Sequence, residues 1–203
     1  CQMHKLFDLI YSYRYHLLIV LLYEFLYILL GYKGNKINIR NNDKSTDTIP
    51  CPYFFLVRIF KIIQKLQIKS VTDIGCGNGR VLNFLNKKLK AEYFGFELYK
   101  DSYLNCINLF KKANNIKIFN KNFFEFSDNF QLSDCYFIND PIKDLNDHND
   151  LFQKLINFHK KLDNQVYYVL VCVDSEKLKI FNQCTLIKNY KIGDRGFSVY
   201  SLK

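Results

Sequence analysis

Histidine is scarce in this 203-residue sequence: there are only four, and none of them stands at the spacing of a pair of metal ligands. The seven cysteines are an odd number, and no two of them form a C-x-x-C pair. Neither a zinc site nor a disulfide framework is therefore predicted. Reduced thiols, as in the cytosol, are the better interpretation of these cysteines.

No apolar run in the sequence reaches the roughly 20 residues that a membrane-spanning helix needs. The most apolar region, residues 9–32, is interrupted by Glu24, and no small-residue cleavage site follows it, so a secretory signal is not predicted. Six tyrosines and Arg14 in this region suit a helix at a membrane interface. A helix that packs on its own domain or on a protein partner is the favoured alternative, and a true span is the least favoured.

Acidic residues are outnumbered, with 19 Asp and Glu against 29 Lys and Arg, and the net charge is +10. This balance suggests an acidic partner, such as nucleic acid, anionic lipid or an acidic protein face. The favoured alternative is that Lys and Asn are simply abundant throughout the sequence, since the lysines are spread along the chain rather than clustered. Among the possible partners, nucleic acid is the less favoured, because no RNA-binding module is visible. Hydrophobic residues make up 49% of the sequence, enough for a real core, so wholesale disorder is excluded.

Glycine is also scarce, with eight residues, yet Gly75, Gly77 and Gly79 fall within five positions of the segment VTDIGCGNGRVL, residues 71–82. The apolar residues before this cluster predict the end of a strand, and the residues from Arg80 onward predict the start of a helix. Glycines at such a junction let the backbone turn tightly and approach a ligand, and the helix N-terminus offers free N–H groups.

The residues around these glycines indicate which kind of ligand the loop would take. The spacing G-x-G-x-G differs from the dinucleotide pattern G-x-G-x-x-G. Asp73 stands two residues before the first glycine, where it suits a cationic ligand group and would repel a pyrophosphate. Cys76 lies inside the loop, where a small side chain is needed, and is interpreted as structural.

Short apolar runs alternate with amphipathic ones beyond residue 48. Strands are predicted over 70–74, 92–97, 116–119, 134–139, 165–173, 184–190 and 196–202. Helices are predicted over 53–67, 80–89, 101–113, 148–162 and 174–182. This alternation is typical of an α/β parallel sheet with helices on both faces, and the last two strands predict an antiparallel hairpin. The polar residues 33–47 predict a linker between a hydrophobic helical segment, 1–32, and a domain, 48–203.

The segment TDIGCGNGRVL resembles motif I of the class I S-adenosylmethionine-dependent methyltransferases. The resemblance implies a Rossmann-like seven-stranded sheet with an antiparallel terminal hairpin, preceded here by the hydrophobic N-terminal helix. It also implies S-adenosyl-L-methionine as the cofactor. Asp73 would then engage the amino-acid end of the cofactor, and the loop from Gly75 to Gly79, Cys76 and Gly77 included, would lie against its backbone.

Two further segments fit the same resemblance. Glu97 ends the second predicted strand, at about the offset from which an acid accepts both ribose hydroxyls. In the family, an Asp or Asn beside an apolar residue follows the third strand and brackets the adenine. Asn122 and Phe123, in FNKNFFEF, fit that description.

The chemistry is expected at the end of the fourth predicted strand, in CYFINDPI, residues 135–142. Asn139, Asp140 and Pro141 resemble the Asn-Pro-Pro-aromatic motif of amino-group methyltransferases, in which an Asn oxygen orients the amine. Asp140 replaces the first Pro of that motif and can accept a proton or pair with a cationic amine. Ile142 replaces the aromatic residue, and this loss of a stacking surface argues against a flipped nucleobase as substrate.

The segment DTIPCPYFFLVRIF, residues 47–60, resembles a P-T-P-Y sequence found in a group of small bacterial methyltransferases. More loosely, it resembles the mitochondrial lysine methyltransferases that act on the adenine nucleotide translocase and on an ATP synthase subunit. By that resemblance Thr48 and Tyr53 are candidates for the carboxylate end of the cofactor.

These observations together predict an S-adenosylmethionine-dependent methyltransferase whose acceptor is a protein side-chain amine such as lysine. A small-molecule or glycan acceptor stays open as an alternative, and so does an inactive cofactor-binding subunit that acts as a scaffold. The expected location is the cytoplasm or an organelle matrix. Contact with a membrane surface or a protein partner is expected through residues 9–32.

Overall fold

The computed structural model describes residues 16–38, 49–123, 133–140, 145–162, 165–173 and 178–203. The helices of these ranges are α1 (Leu17–Leu29), α2 (Tyr53–Ile63), α3 (Arg80–Asn86), α4 (Lys100–Phe110) and α5 (Leu145–Leu162), with a 3-10 helix at Lys179–Gln183. The strands are β1 (Ser70–Ile74), β2 (Glu92–Phe96), β3 (Ile116–Phe119), β4 (Cys135–Asn139), β5 (Val166–Val171), β6 (Thr185–Ile192) and β7 (Arg195–Leu202).

The strands form one seven-stranded sheet in the order β3-β2-β1-β4-β5-β7-β6. The first five strands are parallel, whereas β7 runs antiparallel to both β5 and β6. The predicted α/β sheet with an antiparallel terminal hairpin is therefore confirmed. The strand order reverses between β1 and β4, and ligands of open α/β sheets bind at the carboxyl ends of the strands at such a point.

Apolar layers cover both faces of the sheet, because successive side chains of each strand point to opposite sides. In β4, Cys135 and Phe137 belong to the cluster that includes α2, α3 and α4. Tyr136 and Ile138 belong to the cluster on the other face, which includes α5. Each such fully buried apolar side chain contributes roughly 1.5–3 kcal/mol to stability.

Several predicted helices end earlier than expected. The first helix of the domain was expected to reach residue 67 but ends at Ile63, and Gln67 takes a left-handed φ of 49° that no helix can contain. The helix predicted over 174–182 falls partly outside the described residues, since 174–177 are not among them. Its remainder forms the 3-10 helix Lys179–Gln183, a short element that apolar spacing does not distinguish from an α-helical turn.

The N-terminal helix α1 packs against α2. Tyr23 meets the ring of Phe54 edge-on at 5.4 Å, and Tyr27 stacks on Tyr53 at 4.9 Å. The helix ends where Gly31 takes a left-handed φ of 72°. Within the described ranges, no helix combines the length and apolarity needed to cross a bilayer. The start of the predicted hydrophobic segment, up to residue 15, lies outside the described residues.

The start of the predicted linker is packed against the domain. Asn38 is buried and donates from Nδ2 to Ser102 Oγ at 2.8 Å, while Asn78 donates from Nδ2 to the carbonyl of Lys36 at 2.9 Å. A Cβ on Gly34 would lie only 2.4 Å from the backbone nitrogen of Arg80. Residues 33–38 therefore follow the backbone of the glycine-rich loop closely. The rest of the predicted linker is outside the described residues.

Candidate functional site

The loop between β1 and α3 depends on its three glycines. Gly75, Gly77 and Gly79 have φ values of 75°, 54° and 82°, in the left-handed region that residues with a Cβ rarely adopt. The backbone N–H groups of Gly75 and Cys76 both donate to the carbonyl of Phe96 at 2.9 Å. The loop is thereby tied to the end of β2, and Gly79 is the N-terminal cap of α3.

Asp73, one residue before the end of β1, is the most unusual group at this edge of the sheet. Its side chain is 1% exposed, and its Oδ2 has no hydrogen-bond partner among the residues that the structure describes. Burial, and secondarily the charge of Glu97, raise its pKa to about 8. A buried carboxylate without a partner is costly, and a cationic ligand group beside it would offset that cost.

Glu97 follows β2 and lies across the glycine loop. Its Oε2 accepts the backbone N–H of Gly77 at 2.8 Å, and its Oε1 accepts that of Tyr99 at 2.8 Å. These two bonds fix the orientation of the carboxylate, whose two oxygens together offer about four acceptor positions. The structure therefore brings Glu97, Asp73 and the glycine loop together at one site, as the resemblance implied.

Sequence reasoning missed two residues beside Glu97. Asn120 donates from Nδ2 to the carbonyls of Glu97 and Leu98, both at 2.9 Å, and so fixes the turn after β2. Leu98 is apolar yet 54% exposed. In the sequence, Leu98 is marked only by its position directly after Glu97, and Asn120 only by its position directly after the third predicted strand.

The structure places the predicted adenine-bracketing pair after β3. Phe123 is buried in the apolar cluster on the α5 face of the sheet and meets the ring of Phe96 edge-on at 4.9 Å. Phe119 stacks on the same ring at 5.1 Å. Asn122, the other predicted residue, is half-buried. The pair thus lies near the end of β2, where Glu97 also lies, and its contact with a cofactor stays a prediction.

The predicted catalytic motif stands at the end of β4, across the strand-order reversal from Asp73. Asn139 donates from Nδ2 to the carbonyl of Ile49 at 3.0 Å, so the segment before α2 lies over this strand end. Asp140 has a φ of 43°, and burial raises its pKa to about 6, an effect that the charge of Arg195 partly offsets. Pro141 lies outside the described residues.

A second strained residue lies next to this motif. Cys172, directly after β5, has a φ of 57°, and its backbone N–H donates to the carbonyl of Gly196 at 2.9 Å. Arg195 approaches its sulfur with Nη1 at 3.9 Å. The neighbouring strands β4 and β5 are therefore each followed by a non-glycine residue with a left-handed φ, Asp140 and Cys172. Both residues lie beside Arg195. Such strained positions cluster at functional sites, and no sequence pattern had indicated Cys172 or Arg195.

Tyr53, predicted to lie near the carboxylate end of a cofactor, is fully buried at the start of α2. Its hydroxyl donates to Asn35 Oδ1 at 2.8 Å, and the guanidinium of Arg80 lies 4.5 Å from the centre of its ring. The ring thus supports Arg80 and the segment 33–38. Thr48, predicted with it, lies outside the described residues.

Arg80, which sequence reasoning treated only as the start of a helix, joins three parts of the chain. Its Nη1 forms an ion pair with Glu24 Oε2 at 2.6 Å and donates to the carbonyl of Cys51 at 3.2 Å. Glu24 Oε1 also accepts the backbone N–H of Tyr53 at 2.8 Å. The acid that interrupts the apolar sequence of α1 therefore reaches the first turns of both α2 and α3.

Cys76 is buried between the loop and α4. Its sulfur lies 4.0 Å from that of Cys106, and this contact, with burial, raises the pKa of the Cys76 thiol well above its usual range. A Cβ on Gly95 would lie 2.9 Å from the Cys76 sulfur. These contacts agree with the interpretation that the position needs a small side chain.

The residues at this edge fit S-adenosyl-L-methionine. The unpartnered oxygen of Asp73 suits an ammonium, the oriented carboxylate of Glu97 suits vicinal hydroxyls, and the left-handed glycines let the backbone approach closely. The cofactor carries both an ammonium group and a ribose diol.

No protein-family profile matches this chain, and no curated protein matches it in sequence. Solved structures match it in fold. One is the N-methyltransferase NodS from Bradyrhizobium japonicum WM9 in complex with S-adenosyl-L-homocysteine, with 12% identity, a TM-score of 0.58 and coverage of 72% of this chain and 83% of that one. The chain has the class I methyltransferase fold.

Two other similar structures are described as acting on different acceptors. An RNA methyltransferase from Salinibacter ruber, in complex with S-adenosyl-L-homocysteine, is 16% identical with a TM-score of 0.55, and the match covers 76% of this chain and 92% of that one. A ribosomal protein L11 methylase from Lactobacillus delbrueckii subsp. bulgaricus is 17% identical with a TM-score of 0.56, covering 73% and 77%. This class I fold is therefore shared by proteins with different acceptors.

Proposed function

We propose that this protein is an S-adenosylmethionine-dependent methyltransferase that methylates a protein side-chain amine, with lysine as the acceptor. The observation that carries the cofactor assignment is the buried carboxylate of Asp73, which lacks a partner on Oδ2 within the described part of the chain. It stands at the strand end where this fold binds ligands, beside the glycine loop and the oriented carboxylate of Glu97.

Each residue at the cofactor edge has a definite task. Asp73 pairs with the ammonium group, and the charge of that group restores the ionised form of the carboxyl. Glu97, held by two backbone donors, accepts hydrogen bonds from the ribose hydroxyls. Leu98 offers an exposed apolar surface next to that acid for the adenine ring. When bound, the cofactor supplies an electrophilic methyl group on its sulfonium.

The acceptor side is formed by the end of β4. Because the amide nitrogen of Asn139 is turned to the carbonyl of Ile49, its Oδ1 is turned the other way and can accept from an incoming amine. Asp140, with a pKa of about 6, is mostly ionised at pH 7. It can attract a cationic lysine side chain and take up its proton before transfer.

Two observations support an amine of a protein over a nucleobase. In the sequence, Ile142 occupies the position of the aromatic residue in the Asn-Pro-Pro-aromatic motif, and an aliphatic side chain offers no stacking surface for a flipped base. Asp140 places a negative charge beside the acceptor position, where it attracts an ammonium and repels a phosphate backbone. The similar L11 methylase is described as acting on a ribosomal protein, so this fold accommodates such acceptors.

The experiment combines binding and transfer. Calorimetry with S-adenosyl-L-homocysteine tests the cofactor site, with Asp73→Asn as the variant that should bind more weakly and the exposed Asp150→Asn on α5 as its control. A lysate is then incubated with the full chain and methyl-labelled cofactor. A labelled protein that yields methyl-lysine on hydrolysis supports the proposal. Absence of binding overturns it, and label in RNA, glycan or a small molecule overturns the amine acceptor alone.

A further inference from the structure

One long side of α1 is entirely apolar and turned away from the domain. We call this side the outer face of α1, and its residues are between 44% and 70% exposed: Leu18, Ile19, Leu21, Leu22, Phe25, Leu26, Ile28, Leu29 and Leu30. Glu24, the one acidic residue of α1, is turned the other way and engaged by Arg80 and Tyr53. The outer face therefore carries no charge.

An apolar surface built from nine neighbouring side chains is larger than monomeric proteins usually leave in contact with water. The opposite side of the helix is held along its length by α2, through Tyr23 on Phe54 and Tyr27 on Tyr53. Because α2 covers the opposite side of α1, only the outer face of α1 is accessible to a partner. The partner must therefore present a broad apolar layer.

Three lysines lie beside the carboxyl end of α1. Lys87 donates from Nζ to the carbonyl of Gly31 at 2.9 Å and lies 4.2 Å from the centre of the Tyr32 ring. Lys88 lies 5.9 Å from the same ring, and Lys33 follows it in the chain. All three lysines are exposed. An apolar surface bordered by lysines matches an acyl layer bordered by anionic head groups.

We propose that the outer face of α1 docks this protein, in the plane of the membrane, on a bilayer surface rich in anionic lipids. The charge of the chain selects this occupant, since a net charge of +10 attracts an anionic surface and makes two copies of the chain repel each other. This proposal does not depend on catalytic activity.

The test is sedimentation of the full chain with vesicles of phosphatidylcholine alone and of phosphatidylcholine mixed with phosphatidylserine. We expect binding to the mixed vesicles that weakens as salt is raised. Phe25→Asp, at a site 64% exposed, should abolish this binding, whereas Leu186→Asp, at an apolar site 50% exposed on β6, should not change it. Melting temperature reports whether each variant folds, and Phe25→Asn serves as the milder variant.

The lysine border has its own matched pair of variants. Lys87→Gln with Lys88→Gln should lower the binding constant about fivefold for each lysine, since one such charge near an anionic surface contributes about 1 kcal/mol. Lys111→Gln with Lys112→Gln, at the exposed end of α4, is the control. Failure of the full chain to bind mixed vesicles would overturn the proposal. So would self-association in sedimentation velocity that Phe25→Asp removes, because the occupant would then be a second copy.

Discussion

The buried carboxyl of Asp73 makes cofactor binding depend on pH in a defined direction. Its pKa is raised to about 8, first by burial and then by the charge of Glu97. Below pH 8 the free protein therefore holds this group mostly protonated, whereas pairing with the cofactor ammonium requires the carboxylate. Affinity should fall by up to tenfold, or about 1.4 kcal/mol, for each pH unit below 8. Because the carboxyl is half ionised at pH 8, the fall between pH 8 and pH 6 is about 50-fold.

Calorimetry with S-adenosyl-L-homocysteine at pH 6, 7 and 8 measures this dependence directly. Titrations in two buffers of different ionisation enthalpy also count the protons released, and we expect nearly one per ligand at pH 6. Asp73→Asn should remove both the proton release and the pH dependence. Glu97→Gln should move the dependence to lower pH, because the charge of Glu97 is one of the two causes that raise the Asp73 pKa. Affinity that stays constant from pH 6 to 8 without proton release would refute the role assigned to Asp73.

The same pKa affects the stability of the ligand-free protein. A carboxyl with a pKa of about 8 in the folded state and about 3.9 in the unfolded state holds an extra proton when folded between those values. The contribution of this carboxyl to the free energy of unfolding is therefore fully present below about pH 4 and is lost as pH rises through 8. The total is on the order of 5 kcal/mol. The free energies of unfolding measured by urea titration at pH 6 and at pH 8 should therefore differ less for Asp73→Asn than for the unsubstituted protein.

Three further substitutions test other parts of the site. Gly77→Val should block ligand binding in calorimetry, because its φ of 54° excludes a branched residue and its N–H orients Glu97; unchanged affinity would contradict the loop assignment. Glu97→Ala should weaken binding by about 1.5–3 kcal/mol, and equal affinity would refute its role. Glu24→Ala should lower the free energy of unfolding by about 3 kcal/mol, since Arg80 stays buried without its anion. Asp150→Ala, at an exposed site, should leave it unchanged.

The glycine loop and the sheet could be predicted because both are encoded locally. Three glycines after an apolar run require a tight strand-to-helix junction, and all three indeed take positive φ. Alternating apolar runs of strand and helix length then fix a parallel sheet. Asp73 and Glu97 could be placed at one edge because the carboxyl ends of β1 and β2 are neighbours in such a sheet.

The parts that could not be predicted depend on contacts between distant positions. Glu24 pairs with Arg80 and Asn139 bonds to Ile49, and no local pattern links either pair. The strain at Cys172 arises where β5 meets the antiparallel strand β7, so it too is a tertiary effect. Residues 33–38 looked like a linker because they are polar, yet their polar groups are the ones that bond to the domain.

The placement of α1 shows how one charge orients an apolar helix. A helix that is apolar on nearly every side has no preferred inner face by hydrophobicity alone. Glu24 removes that ambiguity, because its carboxylate is stabilised only when its side of the helix faces Arg80 and the backbone N–H of Tyr53. The ion pair is largely buried, with side-chain exposures of 8% for Arg80 and 22% for Glu24, so its main effect is to select one orientation rather than to add net stability. The same contact fixes the start of α3, so the helix that offers its outer face to a partner also supports the loop at the candidate cofactor site.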